Sequence, residues 1–267
     1  MNGPVPIGDV ELAAAFVLVA VAAAVSLALR LDLERRLLWA SLRATVQLFV
    51  IGQILAYVLG TEPGWAIAVV MTVMIGAAAH QAVTRPERWL DGGPLGAFVT
   101  LTLVGLLTTF TVSRGLLHLE PWYTPRYALP LLGMILGNTL TGLSLSLDNL
   151  LEAADLGRET IEADLALGAT RWEALREPLG RAVRVGMTPI LNSTSVVGLV
   201  ALPGMMTGQV LAGADPRDAV RYQLLVMFMV LASTAVGCLS LGLYAALRLT
   251  DAEHRLRPPP VRTRGRG

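Results

Sequence analysis

Seven predominantly apolar runs of about 18 residues or more constrain this chain most, because that is the length an α-helix needs to cross a bilayer. They fall at roughly 10–29, 37–59, 64–83, 94–113, 128–147, 186–203 and 221–247. Backbone groups in hydrocarbon must be satisfied within the segment, so runs of this length are helical. Charged residues make up 15% of the chain and mean hydropathy is +0.60, too little polar surface for a water-exposed domain. The pattern predicts an all-α, polytopic integral membrane protein with about seven transmembrane helices. One transmembrane domain would cover 1–250, and a basic, disordered tail touching membrane lipid would cover 251–267. The first run opens on Asp9 and Glu11 without a basic lead, so it reads as a span and not as a signal peptide.

All 21 basic residues are Arg. Without Lys the chain has no P-loop clamp, no kinase-type nucleotide site and no Schiff base. If ATP drives it, ATP and Mg must be bound by another chain. The single Cys, Cys238, excludes an internal disulfide and a thiolate metal cluster. Arg114, Arg126, Arg217 and Arg221 lie in loops of one side, Arg43 lies inside a run, and every other Arg lies on the opposite side. By the positive-inside rule the N-terminus is outside and the C-terminus cytoplasmic, in the plasma (inner) membrane.

One connection is long: about 148–187, on the cytoplasmic side. Asn149 and Glu152 have capping-box spacing for a helix start, and Gly157 interrupts that helix. A second, amphipathic helix is expected from Thr160 to Arg176, with Ile161, Leu165, Gly168, Trp172 and Leu175 on one stripe and Pro178 ending it. Gly168 costs a helix about 1 kcal/mol relative to Ala, which a close backbone contact would explain. Glu162 and Asp164 disfavour docking on lipid headgroups, so the stripe points to a protein partner.

Glu162-Ala163, Gly168 and Pro178 resemble the "EAA" loop of ABC-transporter permeases, with Asp164 departing from that pattern. Leu42–Leu48, Gly137-Asn138, Leu165–Ala169, Leu202–Gln209 and Ala219–Gln223 are similar to the iron-export ABC permease family (FetB-like), to which plant aluminium-tolerance permeases are related. The resemblance covers about 10–250 and implies a permease without ATPase activity of its own, likewise without a nucleic-acid partner. It further implies a homodimer, paired with a FetA-like ATP-binding subunit that docks on Glu162, Ala163, Leu165, Gly168 and Trp172. Cargo and direction, iron export, come from the resemblance; a lipid or sugar nucleotide, or an autonomous channel or secondary carrier, are the alternatives.

No Asp or Glu lies deep in a run, which weighs against proton- or sodium-driven transport. Arg43 and Gln47 share a helix face, Asn138 stands beside a small-residue row of Gly133, Gly137, Thr141 and Ser144, and Asn192 stands near Ser195. Pro203-Gly204 breaks the sixth run. Arg43, Gln47, Asn138, Asn192, Pro203 and Gly204 are the candidate translocation pathway. Met205 and Met206 are soft donors that read better as a hinge or gate than as ligands, and His80 reads as an interfacial residue. No set of metal ligands is recognisable in the sequence.

Overall fold

The structure is a computed structural model that describes residues 8–61, 64–84, 86, 88–251, 255–256 and 261–263. Of the basic tail expected over 251–267, residues 252–254, 257–260 and 264–267 lie outside the described residues. The helices are α1 (Asp9–Ala28), α2 (Glu34–Thr61), α3 (Gly64–Thr84), α4 (Gly93–Phe110), α5 (Pro125–Leu156), α6 (Arg158–Ala166), α7 (Arg171–Ala174), α8 (Arg176–Val196), α9 (Gly204–Leu211) and α10 (Pro216–Leu249). A π-helical stretch, Thr111–Leu116, prolongs α4. Two short strands, β1 (Arg88–Leu90) and β2 (Val261–Thr263), pair antiparallel.

Six of these helices are long and apolar enough to cross a membrane among the described residues: α1 to α5, with the π-helical stretch included in α4, and α10. The expected sixth run, 186–203, is placed differently. Its helix, α8, starts upstream at Arg176, carries Glu177, Arg181 and Arg184, and stops at Val196. Hydropathy registers only the apolar half of a helix whose first half is charged. The break also falls earlier than Pro203. After Val196 the chain turns back, with the Val200 and Ala201 N–H groups donating to the Val196 carbonyl (3.0 and 3.2 Å) and Gly198 at φ +81°. Pro203 instead caps α9.

The bundle is tightest where α5, α8 and α10 cross. A Cβ on Gly186 would lie 2.7 Å from the Gly142 carbonyl oxygen and 2.9 Å from Cys238 Sγ. Glycines at such a crossing let helix backbones approach, which is how helices associate where no hydrophobic effect drives them. The row Gly133, Gly137, Thr141 and Ser144 plays this role only in part. Gly137 has open space around it, Gly133 meets Met74, and the Ser144 hydroxyl donates to the Ala82 carbonyl at 3.0 Å. Leu132, Ile135, Leu143, Leu150 and Leu151 of α5 are fully buried, and so are Ala82, Ala97 and Leu101 of α3 and α4.

The α1–α2 hairpin is peripheral. Ser26 ties its turn by donating to Glu34 Oε2 and accepting from the Leu33 N–H, both at 3.0 Å. Val58 is the buried residue of α2.

Several contacts gather at one end of the bundle. Arg88 pairs with Glu152 (3.6 Å) and Asp155 (3.8 Å), and Tyr244 OH donates to the Gly92 carbonyl (2.9 Å). The described residues of the tail lie at this end. The Arg255 N–H donates to Asp251 Oδ1 (2.7 Å), and β2 adds to β1, with Trp89 opposite Arg262.

Candidate coupling knob and intramembrane hollow

The long connection builds a knob on the continuation of α5. Asn149 does not open a helix; α5 runs through it to Leu156, because the next residues continue the buried apolar face with Leu150, Leu151 and Ala154. Gly157 does mark the interruption, passing α5 into α6 while its N–H still donates to the Ala153 carbonyl (2.9 Å). The helix expected from Thr160 to Arg176 is two helices.

Gly168 lies between them at φ +96°, a left-handed conformation that disfavours any Cβ. The Gly168 N–H donates to the Leu165 carbonyl (3.1 Å) and the Ala169 N–H to the Asp164 carbonyl (3.0 Å), a Schellman stop for α6. Gly168 is therefore there to end a helix. A Cβ on it would meet nothing within 4 Å, so close packing is not its reason.

The restart is a capping box at Thr170 and Glu173. Glu173 Oε2 accepts from the Thr170 N–H (2.7 Å) and hydroxyl (2.8 Å), which holds the Glu173 carboxyl below its ordinary value. The signal for it, Thr-x-x-Glu two residues after a glycine, is present in the sequence. Pro178 does not end the pattern; it sits in the first turn of α8, where its missing N–H is harmless.

The stripe is closed by the chain itself. Ile161, Ala174 and Leu175 are buried in the main core with Leu150, Leu151 and Ala154, and Leu165 packs against them. Burying a side chain like Ile161 contributes about 1.5–3 kcal/mol, enough to pin the knob to α5. The chain itself therefore covers Ile161, Leu165 and Leu175, whereas Trp172 of the same stripe stays exposed.

The outer surface presents Glu162, ion-paired with Arg158 at 2.8 Å, and the exposed Ala163. Leu156, Leu167 and Trp172 are exposed there, Leu167 at 88%. Between the knob and the start of α8 opens a cleft of about 1020 Å³, walled by Glu152, Asp164, Glu173, Glu177, Arg181 and Arg184.

A second hollow, about 290 Å³, lies toward the opposite end of the bundle. Its wall takes Met134 and Asn138 from α5, Ser193 from α8, Gln223 and Met227 from α10, and Pro203 from the broken segment. Of the candidate pathway residues it therefore unites Asn138 and Pro203. Asn192 is exposed and outside it, while its neighbour Ser193 lines it. Thr194 and Ser195 hydroxyls donate to carbonyls of their own helix, Ile190 (2.7 Å) and Leu191 (2.8 Å). Gly204 opens α9 on an exposed face, and Met205 packs against the second apolar core.

Arg43 and Gln47 are exposed on α2 and do not line the hollow. Gln223 was missed by sequence reasoning; a lone amide in an apolar run was its signal. Among the described residues no group of three or more His, Cys, Asp or Glu converges as a metal cluster would.

A bundle of long apolar helices with a charged helical knob at one end defines a polytopic helical membrane protein. The uncharacterised protein family UPF0014 matches residues 9–249, and the chain belongs to that family. A membrane protein of the same family from Synechocystis is 38% identical over 79% of this chain and 81% of its own length. The Arabidopsis thaliana protein ALUMINUM SENSITIVE 3 is 33% identical over 87% of this chain and 84% of its own. An Escherichia coli relative, named probable iron export permease protein FetB, is 28% identical over 92% of this chain and 93% of its own. No solved structure matches the chain.

Proposed function

We propose that this chain is the membrane-spanning permease subunit of an ABC transporter that exports iron or a related metal ion, on ATP hydrolysed by a separate FetA-like subunit. Kinship with the E. coli iron export permease supports the cargo. In this reading two copies form the pathway, the knob faces the cytoplasm at the inner (plasma) membrane, and ATP with Mg resides in the partner.

The observation that carries the reading is the continuity from knob to hollow. At 1.5 Å per residue the 32 residues of α5 extend about 48 Å. Helix α5 supplies Glu152 to the cleft at one end, and Met134 and Asn138 to the hollow at the other. Helix α8 likewise supplies Glu177 to the cleft and Ser193 to the hollow. A push on α6 and α7 is therefore delivered through two rods to the walls of the hollow, and a pump needs such a link between two packings of differing cargo affinity.

Glu162, Ala163 and Trp172, with Leu167, would meet the ATP-binding subunit, Leu165 would anchor α6, and Gly168 would set the angle to α7. Replacing Ala163 by Arg is expected to weaken co-purification with the ATP-binding subunit, and stimulated ATP turnover, on the order of tenfold (1.4 kcal/mol). Undiminished association and turnover would sink the coupling assignment. Vesicles holding both subunits should move Fe²⁺ only with ATP; ATP-driven movement of a sugar nucleotide or lipid instead would replace the cargo.

A further inference from the structure

We propose that the polar face of α8 is the surface on which a second copy of this chain docks within the bilayer. The inference deepens the permease reading and rests on it for purpose, because it names the seam along which two copies would enclose a pathway. The docking itself depends on neither the cargo nor the ATP-binding subunit.

Helix α8 turns a narrow apolar face of Ala182, Gly186 and Ile190 toward the bundle. On the opposite side stand Glu177, Arg181, Arg184, Thr188, Asn192 and Ser195, all exposed and spaced three or four residues apart. The depth of this stripe follows from the packing. Gly186 faces the Gly142 carbonyl of α5, and Ile190 packs with Leu131 and Ile135 of α5 and with Val226 and Val230 of α10. Both α5 and α10 are long and apolar enough to cross a membrane. Thr188, Asn192 and Ser195 therefore lie at hydrocarbon depth while facing away from their own bundle. Polar side chains at that depth turn to protein or to a water-filled cavity, not to lipid. The Thr188 and Ser195 hydroxyls donate to carbonyls of their own helix, Arg184 (3.0 Å) and Leu191 (2.8 Å). The Asn192 amide, with two N–H donors and a carbonyl, is the group that most needs a neighbour.

A second copy fits because the stripe is self-complementary. Copies inserted in the same orientation are related by a two-fold axis along the membrane normal, which sets each residue near its own counterpart at equal depth. An amide both donates and accepts, so Asn192 can pair with Asn192 of the second copy, as amides do between membrane helices. Toward the knob, Arg181 is neutralised within each copy by Glu177 at 2.7 Å, and Arg184 opens into the charged cleft, where water screens it. From Arg181 to Ser195 the stripe rises about 21 Å, joining that cleft to the far end of α8. A two-fold axis through the exposed face of α2 would instead set Arg43 against its counterpart, like charges in a low dielectric.

The test uses the full chain in lipid vesicles without any ATP-binding subunit. The native Cys238 is buried, so a membrane-permeant bismaleimide should join only chains that carry an added, exposed thiol. Asn192→Cys should give a covalent dimer, whereas Val46→Cys, on the exposed face of α2, should stay monomeric. Energy transfer between donor- and acceptor-labelled chains, followed as lipid is added, should show Asn192→Leu weakening association on the order of tenfold. Asn192→Gln, which keeps an amide, should retain most of the association, which a merely structural position would not require. Asn192 lies opposite the face that packs the monomer, and Ser195→Leu keeps the test available if Asn192→Leu does not fold. Absence of a dimer from Asn192→Cys, equal cross-linking of Val46→Cys, or unchanged association in the leucine variants overturns the proposal. Because no ATP-binding subunit is present, that failure would leave the permease reading intact, and failed co-purification would leave this docking face intact.

Discussion

The α1–α2 hairpin and the α5–α8–α10 crossing are built on opposite terms. In α1 and α2 only 11% and 6% of the most apolar window is buried, against 61% in α5. Yet α1 is the most apolar of the spans, while α8, at the centre, is too polar to count as one. Apolarity alone does not decide which helix is outermost: α10, nearly as apolar as α1, has half of its most apolar window buried at the crossing. Helix α8 carries charge and an amide, and it meets its neighbours through the narrow face of Ala182, Gly186 and Ile190.

The same substitution separates the two regions. Gly186→Ala puts a Cβ 2.7 Å from a backbone oxygen that cannot yield, and should destabilise by about 1–3 kcal/mol or more, seen as loss of monodisperse protein in detergent. Gly52→Ala on α2 meets nothing within 4 Å and should leave the melting temperature unchanged or higher. Equal effects would mean that the hairpin is as tightly packed as the crossing.

A smaller loss is expected at Gly168→Ala, where the left-handed backbone, with open space around it, costs about 1–2 kcal/mol. Limited proteolysis at the α6–α7 junction should rise while global melting stays put. Thr170→Ala should weaken the start of α7 by about 1 kcal/mol. The sign of the accompanying pH effect follows from Glu173, whose carboxyl is held below its ordinary 4.5 by the Thr170 N–H and hydroxyl. Its support is present above that ordinary value and disappears as pH falls through the lowered one. A carboxyl NMR titration should therefore show Glu173 moving back up in the Thr170→Ala variant.

The smallest effect belongs to the hairpin again. Arg43→Leu and Gln47→Leu face outward and should change stability by less than about 0.5 kcal/mol. A large loss of transport there would support these residues as part of the pathway and place a second copy against the hairpin.

How far each region was readable follows from the same contrast. The first five runs and the last are found as helices, because unbroken apolarity over a bilayer thickness is a local property. At α8 the window average hides a helix that begins among Arg176, Glu177 and Arg181. In the knob, apolar spacing alone reads Gly168 as mid-helix, although the Thr170–Glu173 box beside it marks a new start. The small-residue row on α5 is recognised as a packing face, but the glycine in backbone contact is Gly142, a register that one helix by itself does not disclose. For the hollow, Asn138 and Pro203 are anticipated, while Gln223 and Ser193 join them only by proximity.

Membrane residence and helical class were decided by the sequence alone, since each follows from residue type: apolar length and backbone satisfaction. Which helix is central, which glycine meets which backbone, and that the knob's apolar stripe is sealed by α5 were decided only in three dimensions. These are relations between segments far apart in the chain, and no local pattern carries the distance between them.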